Sequence, residues 1–284
     1  MKKQIQNLIE MALKEDIGKE DITTRLLFPS PVLSQGKIIV KEKGIICGLE
    51  IAKEVFSHLD TSLSFPYMRE DGKEVEEGEE VMVIRGDGRN ILKGERTALN
   101  FLGHLSGIAT YTRKFVEKIG DLPVYILDTR KTTPGLRVLE KYAVRVGGGK
   151  NHRMGLYDMV LIKENHLSIL GEERKEAIRK SLRICKDKGF KVEIEVQNPE
   201  EALIAAEEGA DIIMLDNMNR EEILSAVKKI RERNSKVIIE VSGRVDLNTV
   251  REFALTGIDW ISVGKITHSA PSLDFSLSLY PIQV

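Results

Sequence analysis

Short apolar runs rich in β-branched residues alternate with amphipathic stretches through the second half of the chain. Their nearly continuous apolar character is typical of parallel strands that are covered on both faces. The last four runs start about 20 to 25 residues apart, as successive βα units require. Helices are predicted between these four, beginning at Asn198-Pro199, Asn219 and Asp246. The six runs are VYILD (124–128), MVLIK (159–163), VEIEV (192–196), IIMLD (212–216), VIIEV (237–241) and WISVG (260–264).

The first hundred residues follow a different pattern, in which short β segments are broken by glycines. An amphipathic helix is predicted from about Leu49 to Leu59, and a long helix from Glu95 to the residue before Gly120. The β segments are KIIV (37–40), GIIC (44–47), SLSFPY (62–67) and EVMVIRG (80–86).

These two patterns predict an α/β protein with two domains. An N-terminal α+β sandwich domain would comprise residues 1–105 and 270–284. A catalytic domain of residues 106–269 would be a TIM-like β/α barrel, whether closed, open or incomplete. Periodicity alone leaves a doubly wound open sheet as the structural alternative.

Composition and charge narrow the class of protein. The 284 residues can bury a full core, and 31% of them are charged. A net charge of −1 argues against a nucleic-acid binder, and no apolar run reaches the roughly 18 residues of a membrane span. Cys47 and Cys185 lie far apart without metal-ligand spacing, so we expect buried thiols in a reducing compartment, the cytoplasm by default.

Polar residues stand where each of the six predicted barrel strands ends. In β/α barrels the chemistry collects at the carboxyl ends of the strands. A charged group that closes a buried strand is costly unless it is paired or hydrated, so six such ends predict a functional site. The ends read Asp128-Thr129-Arg130-Lys131, Lys163-Glu164-Asn165-His166, Glu195, Asp216-Asn217, Ser242-Gly243-Arg244 and Gly264-Lys265.

The charges at these ends are sorted by sign. Between residues 128 and 166 eight Lys/Arg outnumber four Asp/Glu, which suits a multiply anionic substrate. The later ends supply Glu195 and Asp216, two acids that suit Mg²⁺ but could instead pair with barrel lysines. Ser242-Gly243 and Gly264 can offer backbone N–H groups to a phosphate. Together these features indicate a site for an organic anion, a metal-bound pyrophosphate and a monophosphate.

Several longer stretches carry a resemblance to a known family. They are LKEDIGKEDIT (13–23), ERTALNFLGHLSGIAT (95–110), DTRKTTPGLR (128–137), EKYAVRVGGGKNHRMGLYDMVLIKENH (140–166), EIEV, MLDN, EVSG and SVGKITHS. In order and over nearly the whole chain, they are similar to quinolinate phosphoribosyltransferase, the decarboxylating nicotinate-nucleotide pyrophosphorylase. The resemblance implies transfer of a phosphoribosyl group to quinolinate with loss of CO₂, giving nicotinate mononucleotide and pyrophosphate.

The resemblance also implies roles for individual residues. Catalysis would rest on Lys131, Lys163, Glu195 and Asp216. Glu195 and Asp216 would also meet Mg²⁺, through water, on the pyrophosphate. Quinolinate would be bound by Arg96, Thr129, Arg130, Lys131, His152, Arg153 and Lys163. Phosphoribosyl pyrophosphate would be bound by Lys131, Lys163, Glu195, Asp216, Ser242, Gly243, Gly264 and His268.

The resemblance further implies a homodimer with shared active sites, in which Arg96 reaches the quinolinate of the other subunit. From position alone, Arg96 would open the long helix, where a cation opposes the helix dipole and an anionic ligand could hold it. One residue departs from the family pattern, because Arg244 stands where a second glycine usually follows the Ser-Gly turn. The resemblance therefore gives less information about the backbone geometry at Ser242-Gly243 than about the other predicted site residues.

Three alternatives stay open at this point. The first is nicotinate phosphoribosyltransferase, a similar barrel with a monocarboxylate substrate. The second is a Schiff-base lyase that uses Lys163 as its nucleophile. The third concerns residues 72–94, which resemble a carrier-domain hairpin of the lipoyl or biotinyl type, although the turn offers Arg85-Gly86-Asp87-Gly88 instead of a lysine.

Overall fold

The structure, a computed structural model, describes residues 2–282. The helices are α1 Lys2–Ile17, α2 Ile22–Leu27, α3 Leu49–Leu59, α4 Gly88–Ile119, α5 Arg137–Val146, α6 Glu164–Ile169, α7 Arg174–Lys186, α8 Pro199–Glu207, α9 Arg220–Arg233, α10 Val250–Ala254 and α11 Lys265–His268. The strands are β1 Leu33–Val40, β2 Gly44–Ile45, β3 Ser64–Met68, β4 Glu74–Val75, β5 Glu80–Asp87, β6 Tyr125–Leu127, β7 Val160–Ile162, β8 Val192–Val196, β9 Ile212–Asp216, β10 Ile238–Ser242, β11 Trp260–Ser262 and β12 Phe275–Pro281.

The chain packs as two compact units. Unit 1 contains the residues up to Arg113, residues 133–148 and the residues from Ser269 onward. Unit 2 contains residues 114–132 and 149–268. The domain limits at 105/106 and 269/270 stay a prediction.

Unit 1 is built on a four-stranded antiparallel sheet with the order β12-β1-β5-β3. Along β1 buried residues alternate with more exposed ones, the pattern of a sheet with one face on the core. Gly107 of α4 lies against the backbone of Pro271, and a side chain at this position would overlap the Pro271 carbonyl oxygen. The close approach of the segment before β12 to this helix therefore requires glycine.

One prediction for this region is wrong, and one alternative is excluded. Helix α4 begins at Gly88, not at Glu95, because β5 runs directly into it at Asp87. Arg96 consequently lies in the third turn of the helix and does not face the unpaired N–H groups of its first turn. The carrier-type hairpin is also absent from residues 72–94, since Arg85, Gly86 and Asp87 belong to β5 and pair with β1.

Unit 2 is a six-stranded parallel sheet with the order β6-β11-β10-β9-β8-β7. Strands β7 to β11 are neighbours in chain order, and the first strand, β6, pairs with the last, β11. A doubly wound sheet reverses its direction of strand addition, whereas this order is that of a barrel. Among the described residues no ladder joins β6 to β7, so the barrel is incomplete. The predicted fold class is confirmed.

Local signals explain where the barrel helices begin. The Asn198 side chain accepts the Glu201 N–H at 2.9 Å before Pro199 starts α8. Asn219 and Glu222 form a reciprocal capping box at α9, with distances of 3.0 and 2.8 Å. The start predicted at Asp246 is wrong, since its carboxylate accepts the N–H groups of Asn248 and Thr249 in a turn that precedes α10.

Two further expectations concern cysteines and membranes. Cys47 is fully buried, and burial raises the pKa of its thiol. Cys185 is only half-buried, so the expectation of a buried thiol holds for the first and not for the second. Within residues 2–282 no helix combines the length and the apolar character needed to cross a membrane.

Candidate active site

A cavity of about 600 Å³ opens at the carboxyl ends of the barrel strands in unit 2. It is larger than four other cavities among the described residues. Side chains at the ends of all six strands, or directly after them, meet in it, as the sequence predicted for a barrel. The lining residues are Thr129, Arg130, Lys131, His152, Arg153, Leu161, Lys163, Glu195, Met214, Asp216, Asn217, Ser242, Gly243, Arg244 and Ser262.

Four cations, which we call the basic part of the lining, contribute to this cavity: Arg130, Lys131, Arg153 and Lys163. The segment after β6 is folded tightly, because Thr129 Oγ1 accepts the Lys131 N–H at 3.0 Å. Burial and the neighbouring Arg130 both lower the pKa of Arg153. The two guanidinium groups are therefore close enough to repel each other, which makes this part of the cavity receptive to an anion.

The acidic part of the lining consists of Glu195 and Asp216, at the ends of neighbouring strands. Lys163 Nζ lies 2.8 Å from Glu195 Oε2, so one acid carries its own counter-ion. Asp216 accepts a hydrogen bond from Asn217 Nδ2 at 2.6 Å. Burial raises the pKa of Asp216, and the negative charge of Glu195 raises it further. Two oxygen-donor acids, one close enough to raise the pKa of the other, fit a divalent cation held with waters and phosphate.

The turn after β10 combines a glycine with unusual backbone geometry. Asn217 and Arg244, which are the described non-glycine residues with positive φ, have φ values of 56° and 54° and flank Gly243 in space. Gly243 has φ 85°, and a Cβ there would overlap Asn217 Oδ1. The Asn217 N–H donates to the Ser242 carbonyl at 2.9 Å, which ties the ends of β9 and β10 together. Left-handed backbone at non-glycine residues concentrates at ligand sites, so this turn is a candidate anion cradle.

Gly264 and His268 lie next to the cavity without lining it. A Cβ on Gly264 would stand 3.0 Å from Lys131 Cδ and 3.3 Å from His268 Nε2. Thr267 Oγ1 also donates to the Lys131 carbonyl at 2.7 Å. The α11 segment therefore shapes the approach of Lys131 to the cavity.

His152 is one of the predicted ligands that are buried. Its Nε2 lies 3.0 Å from Glu193 Oε2 and 3.5 Å from Glu240 Oε2, and both carboxylates are fully buried. Burial lowers the pKa of this imidazole, but the two acids outweigh it and raise the pKa to about 10. Nδ1, in turn, accepts the Arg153 N–H at 2.8 Å. In this arrangement the ring carries one proton, on Nε2, because an Nδ1–H would point at another N–H group; the second proton that the raised pKa favours would displace the Arg153 N–H.

Unit 2 therefore contains twelve of the thirteen predicted site residues, and ten of them line the cavity. The exception in position is Arg96, which is exposed on α4 in unit 1. Sequence reasoning assigned no role to Glu193 and Glu240, the acids in contact with His152. It also assigned none to Asn217, although this residue follows Asp216 directly at a strand end.

A cavity with a basic part, an acidic part and a glycine turn at the carboxyl ends of barrel strands is the arrangement expected of a barrel enzyme that acts on phosphorylated substrates. Residues 21–106 match the family model for the quinolinate phosphoribosyl transferase N-terminal domain. Residues 108–278 match the model for the C-terminal domain. The chain belongs to the quinolinate phosphoribosyltransferase family, as the sequence motifs predicted.

Individual relatives agree over almost their full length. A probable nicotinate-nucleotide pyrophosphorylase (carboxylating) of Methanocaldococcus jannaschii is 43% identical, over 97% of both chains. The Synechocystis protein of the same name is 41% identical, over 95% of this chain and 91% of its own. The crystal structure of NadC from Streptococcus pyogenes superposes with a TM-score of 0.92 at 41% identity, covering 100% of this chain and 99% of that one. A human nicotinic acid phosphoribosyltransferase, at 12% identity and a TM-score of 0.61, shares the fold alone.

Proposed function

We propose that this protein is a pentosyltransferase that joins quinolinate to the ribose of phosphoribosyl pyrophosphate and releases CO₂ and pyrophosphate. The product would be nicotinate mononucleotide, which places the enzyme in NAD biosynthesis. One observation carries the proposal: a single cavity gathers four cations and two acids at the ends of neighbouring barrel strands. Family membership supports the same reading.

Quinolinate has two adjacent carboxylates, and the basic part of the cavity matches that charge. Arg130 and Arg153 can each form paired hydrogen bonds with a carboxylate, while Lys131 and Lys163 act as point charges. The cation pair is costly without a ligand, because burial and Arg130 already lower the pKa of Arg153. A dianion removes this cost, whereas a monocarboxylate removes about half of it. Nicotinate is therefore the poorer substrate.

The phosphoribosyl substrate would occupy the acidic part and the glycine turn. Ser242 and Gly243 would present backbone N–H groups to a phosphate, and Gly264 and His268 would complete this end beside Lys131. Glu195 and Asp216 would hold Mg²⁺ through water, as their oxygen donors fit. When bound, the ion would neutralise the departing pyrophosphate.

The residues then contribute mainly by position and charge. The pyridine nitrogen uses its lone pair to form a bond to the anomeric carbon, while the bond from that carbon to the pyrophosphate oxygen breaks. Positive charge develops on the ribose, and the carboxylates of Glu195 and Asp216 would stabilise it. The quaternised ring accepts the electron pair as the bond to the adjacent carboxylate breaks and CO₂ leaves. A proton from water then completes the ring, so no protein nucleophile is needed.

The direct test supplies quinolinate labelled in its 2-carboxylate, phosphoribosyl pyrophosphate and Mg²⁺. We expect labelled CO₂ and nicotinate mononucleotide in equal amounts. Lys131→Ala should abolish turnover, whereas Lys229→Ala, which removes an exposed ion pair with Glu200 on the helical surface, should not. Equal turnover of nicotinate without CO₂ would overturn the assignment.

The ion pair of Lys163 weighs against the Schiff-base alternative. Its Nζ donates to Glu195 Oε2 at 2.8 Å, whereas an amine that adds to a carbonyl carbon needs a free lone pair. Borohydride should therefore fail to trap any adduct on Lys163.

We also propose that the protein is a homodimer in which Arg96 completes the site of the other subunit. The support is that Arg96 is exposed on α4 of unit 1, while the remaining predicted quinolinate ligands lie in unit 2. Arg96→Ala and Lys131→Ala should each be inactive alone. Refolded together, they should regain part of the activity, because one site in the mixed dimer has both residues.

The control is Arg96→Ala refolded with itself, which should stay inactive. Mixed dimers that form and remain inactive would show that Arg96 acts within its own chain or is only structural.

A further inference from the structure

Two glutamates are buried inside the barrel, below the cavity. Glu193 precedes Glu195 by two residues on β8, so both side chains lie on the same face of the strand. Glu240 has the same relation to Ser242 on β10. Both glutamates have no solvent exposure, and neither lines the cavity. Buried acids of this kind are costly unless cations or donors compensate them.

The compensation comes from groups that the proposed function assigns to quinolinate. His152 Nε2 contacts both acids, at 3.0 and 3.5 Å. The charge of Glu193 opposes the pKa depression of Arg153. Every charged neighbour of this pair that the structure records therefore belongs to the quinolinate side of the cavity.

His152 also forms hydrogen bonds that involve the backbone. Its own N–H donates to Asp128 Oδ1 at 2.9 Å, and its Nδ1 accepts the Arg153 N–H at 2.8 Å. The imidazole is thus held on one side by the two glutamates and holds Arg153 on the other. A shift of the ring would move the amide to which the Arg153 side chain is attached.

A metal site is the competing explanation, because single ligand atoms of His152, Glu193 and Glu240 all lie within 4.8 Å of one another. Imidazole binds a metal through a nitrogen lone pair. Here Nδ1 accepts the Arg153 N–H, so the proton is on Nε2, the atom that faces the acids. That nitrogen has no lone pair to offer in this arrangement, and the cluster is better described as a close polar contact between the imidazole ring and the two acids.

We propose that Glu193 and Glu240 are positioning residues for quinolinate: they anchor His152, which fixes Arg153, and they supply the negative charge that lets Arg130 and Arg153 converge on one dianion. The inference rests on the proposed function. It assigns the two glutamates to one substrate only, since the charged groups recorded around them are His152 and Arg153.

Glu240→Gln tests the proposal, because it removes the charge and keeps the shape. We expect the KM for quinolinate to rise about tenfold or more, as for other support residues of a binding group. The KM for phosphoribosyl pyrophosphate should stay within about twofold. Glu240→Asp should restore part of the loss, and it provides the measurement if the glutamine variant folds poorly.

Glu201→Gln is the matched control. Glu201 is also a buried carboxylate of unit 2, but it pairs with Arg174 at 2.6 and 3.1 Å at the start of α8. This variant should lose stability and keep both KM values. If Glu240→Gln changes neither KM, or raises both equally, the positioning role is wrong.

A second readout does not depend on turnover. The chain has five histidines, so ¹⁵N-histidine spectra are simple, and His152→Gln identifies the His152 signals. Glu240→Gln should shift the Nε2 signal of His152 and leave the other four unchanged. An unshifted signal would refute the contact, whereas a shifted signal in an enzyme that does not use quinolinate would refute only the proposed substrate.

Discussion

Replacing Arg244 by glycine should stabilise the protein, although it removes a large side chain from the rim of the cavity. Arg244 has φ 54°, in the left-handed region where a Cβ is crowded. Within residues 2–282, the structure records no hydrogen bond or ion pair for the Arg244 side chain. Glycine adopts the same backbone without that crowding.

The expected magnitude follows from two opposing terms. Left-handed backbone costs a residue with a Cβ about 1–2 kcal/mol, which glycine regains. Glycine also makes the unfolded chain more flexible, which costs about 0.5–1 kcal/mol. Arg244→Gly should therefore raise the free energy of unfolding by about 0.5–1 kcal/mol, or Tm by about 1–3 °C for a protein of this size.

A substitution at the neighbouring Gly243 should instead lower the free energy of unfolding. Gly243→Ala forces a Cβ into φ 85° and into overlap with Asn217 Oδ1, so we expect a loss of more than about 2 kcal/mol. Gly171→Ala is the matched control, because Gly171 has φ 70° and no atom within 4 Å of the added Cβ. The difference between these two variants measures the overlap alone.

Urea unfolding followed by tryptophan fluorescence is the assay. The chain has one tryptophan, Trp260 in β11, so the signal reports on the barrel unit that contains both substitutions. A loss of about 1 kcal/mol or more in Arg244→Gly would refute the strain argument. It would mean that the arginine side chain stabilises the turn by more than its backbone costs.

Three further predictions follow from the site and from the cysteines. Excess chelator should abolish activity and added Mg²⁺ or Mn²⁺ restore it, and full activity in chelator would exclude the role of the two acids. Asp216→Asn should raise the KM for phosphoribosyl pyrophosphate about tenfold with little change for quinolinate, since the negative charge lies on the acidic part of the cavity; equal effects on both substrates would contradict this division. In the native protein a thiol reagent should modify Cys185 and spare the buried Cys47, and urea should expose both; modification of two thiols without urea would show that Cys47 is accessible.

The barrel was predictable because its signal is strong and local. Strands that are covered on both faces have nearly continuous apolar sequences. Strands β8 and β9 accordingly have the predicted limits, Val192–Val196 and Ile212–Asp216. Asn198 and Asn219 mark helix starts because their side chains satisfy N–H groups that the helix leaves unpaired. Asp246 misled the prediction because the same side chain chemistry also closes a simple turn.

The start of α4 was less predictable because tertiary packing decides it. Gly88 and Gly94 read as interruptions in sequence, and glycine weakens a helix by about 1 kcal/mol. In the structure a Cβ on Gly94 would stand 2.7 Å from the ring of Phe56, so the glycine serves close packing of α4 against α3. Propensity alone cannot separate that glycine from a helix stop.

The site residues at strand ends were predictable from the sequence, whereas those inside the barrel were not. Parallel strands bring their carboxyl ends to one edge, which places Lys163, Glu195 and Asp216 together. The charged residues inside the barrel are not explained by strand ends. VEIEV and VIIEV each carry a glutamate inside an otherwise apolar run, and the period of two places Glu193 on the same face as Glu195. An ordinary barrel fills that interior with branched apolar side chains, so a glutamate there already indicates a buried partner. Sequence cannot identify the partner, because His152 comes from a loop whose position depends on the folded barrel. The two glutamates thus make the interior of this barrel polar, and the folded barrel brings His152 and Arg153 close enough to compensate their burial.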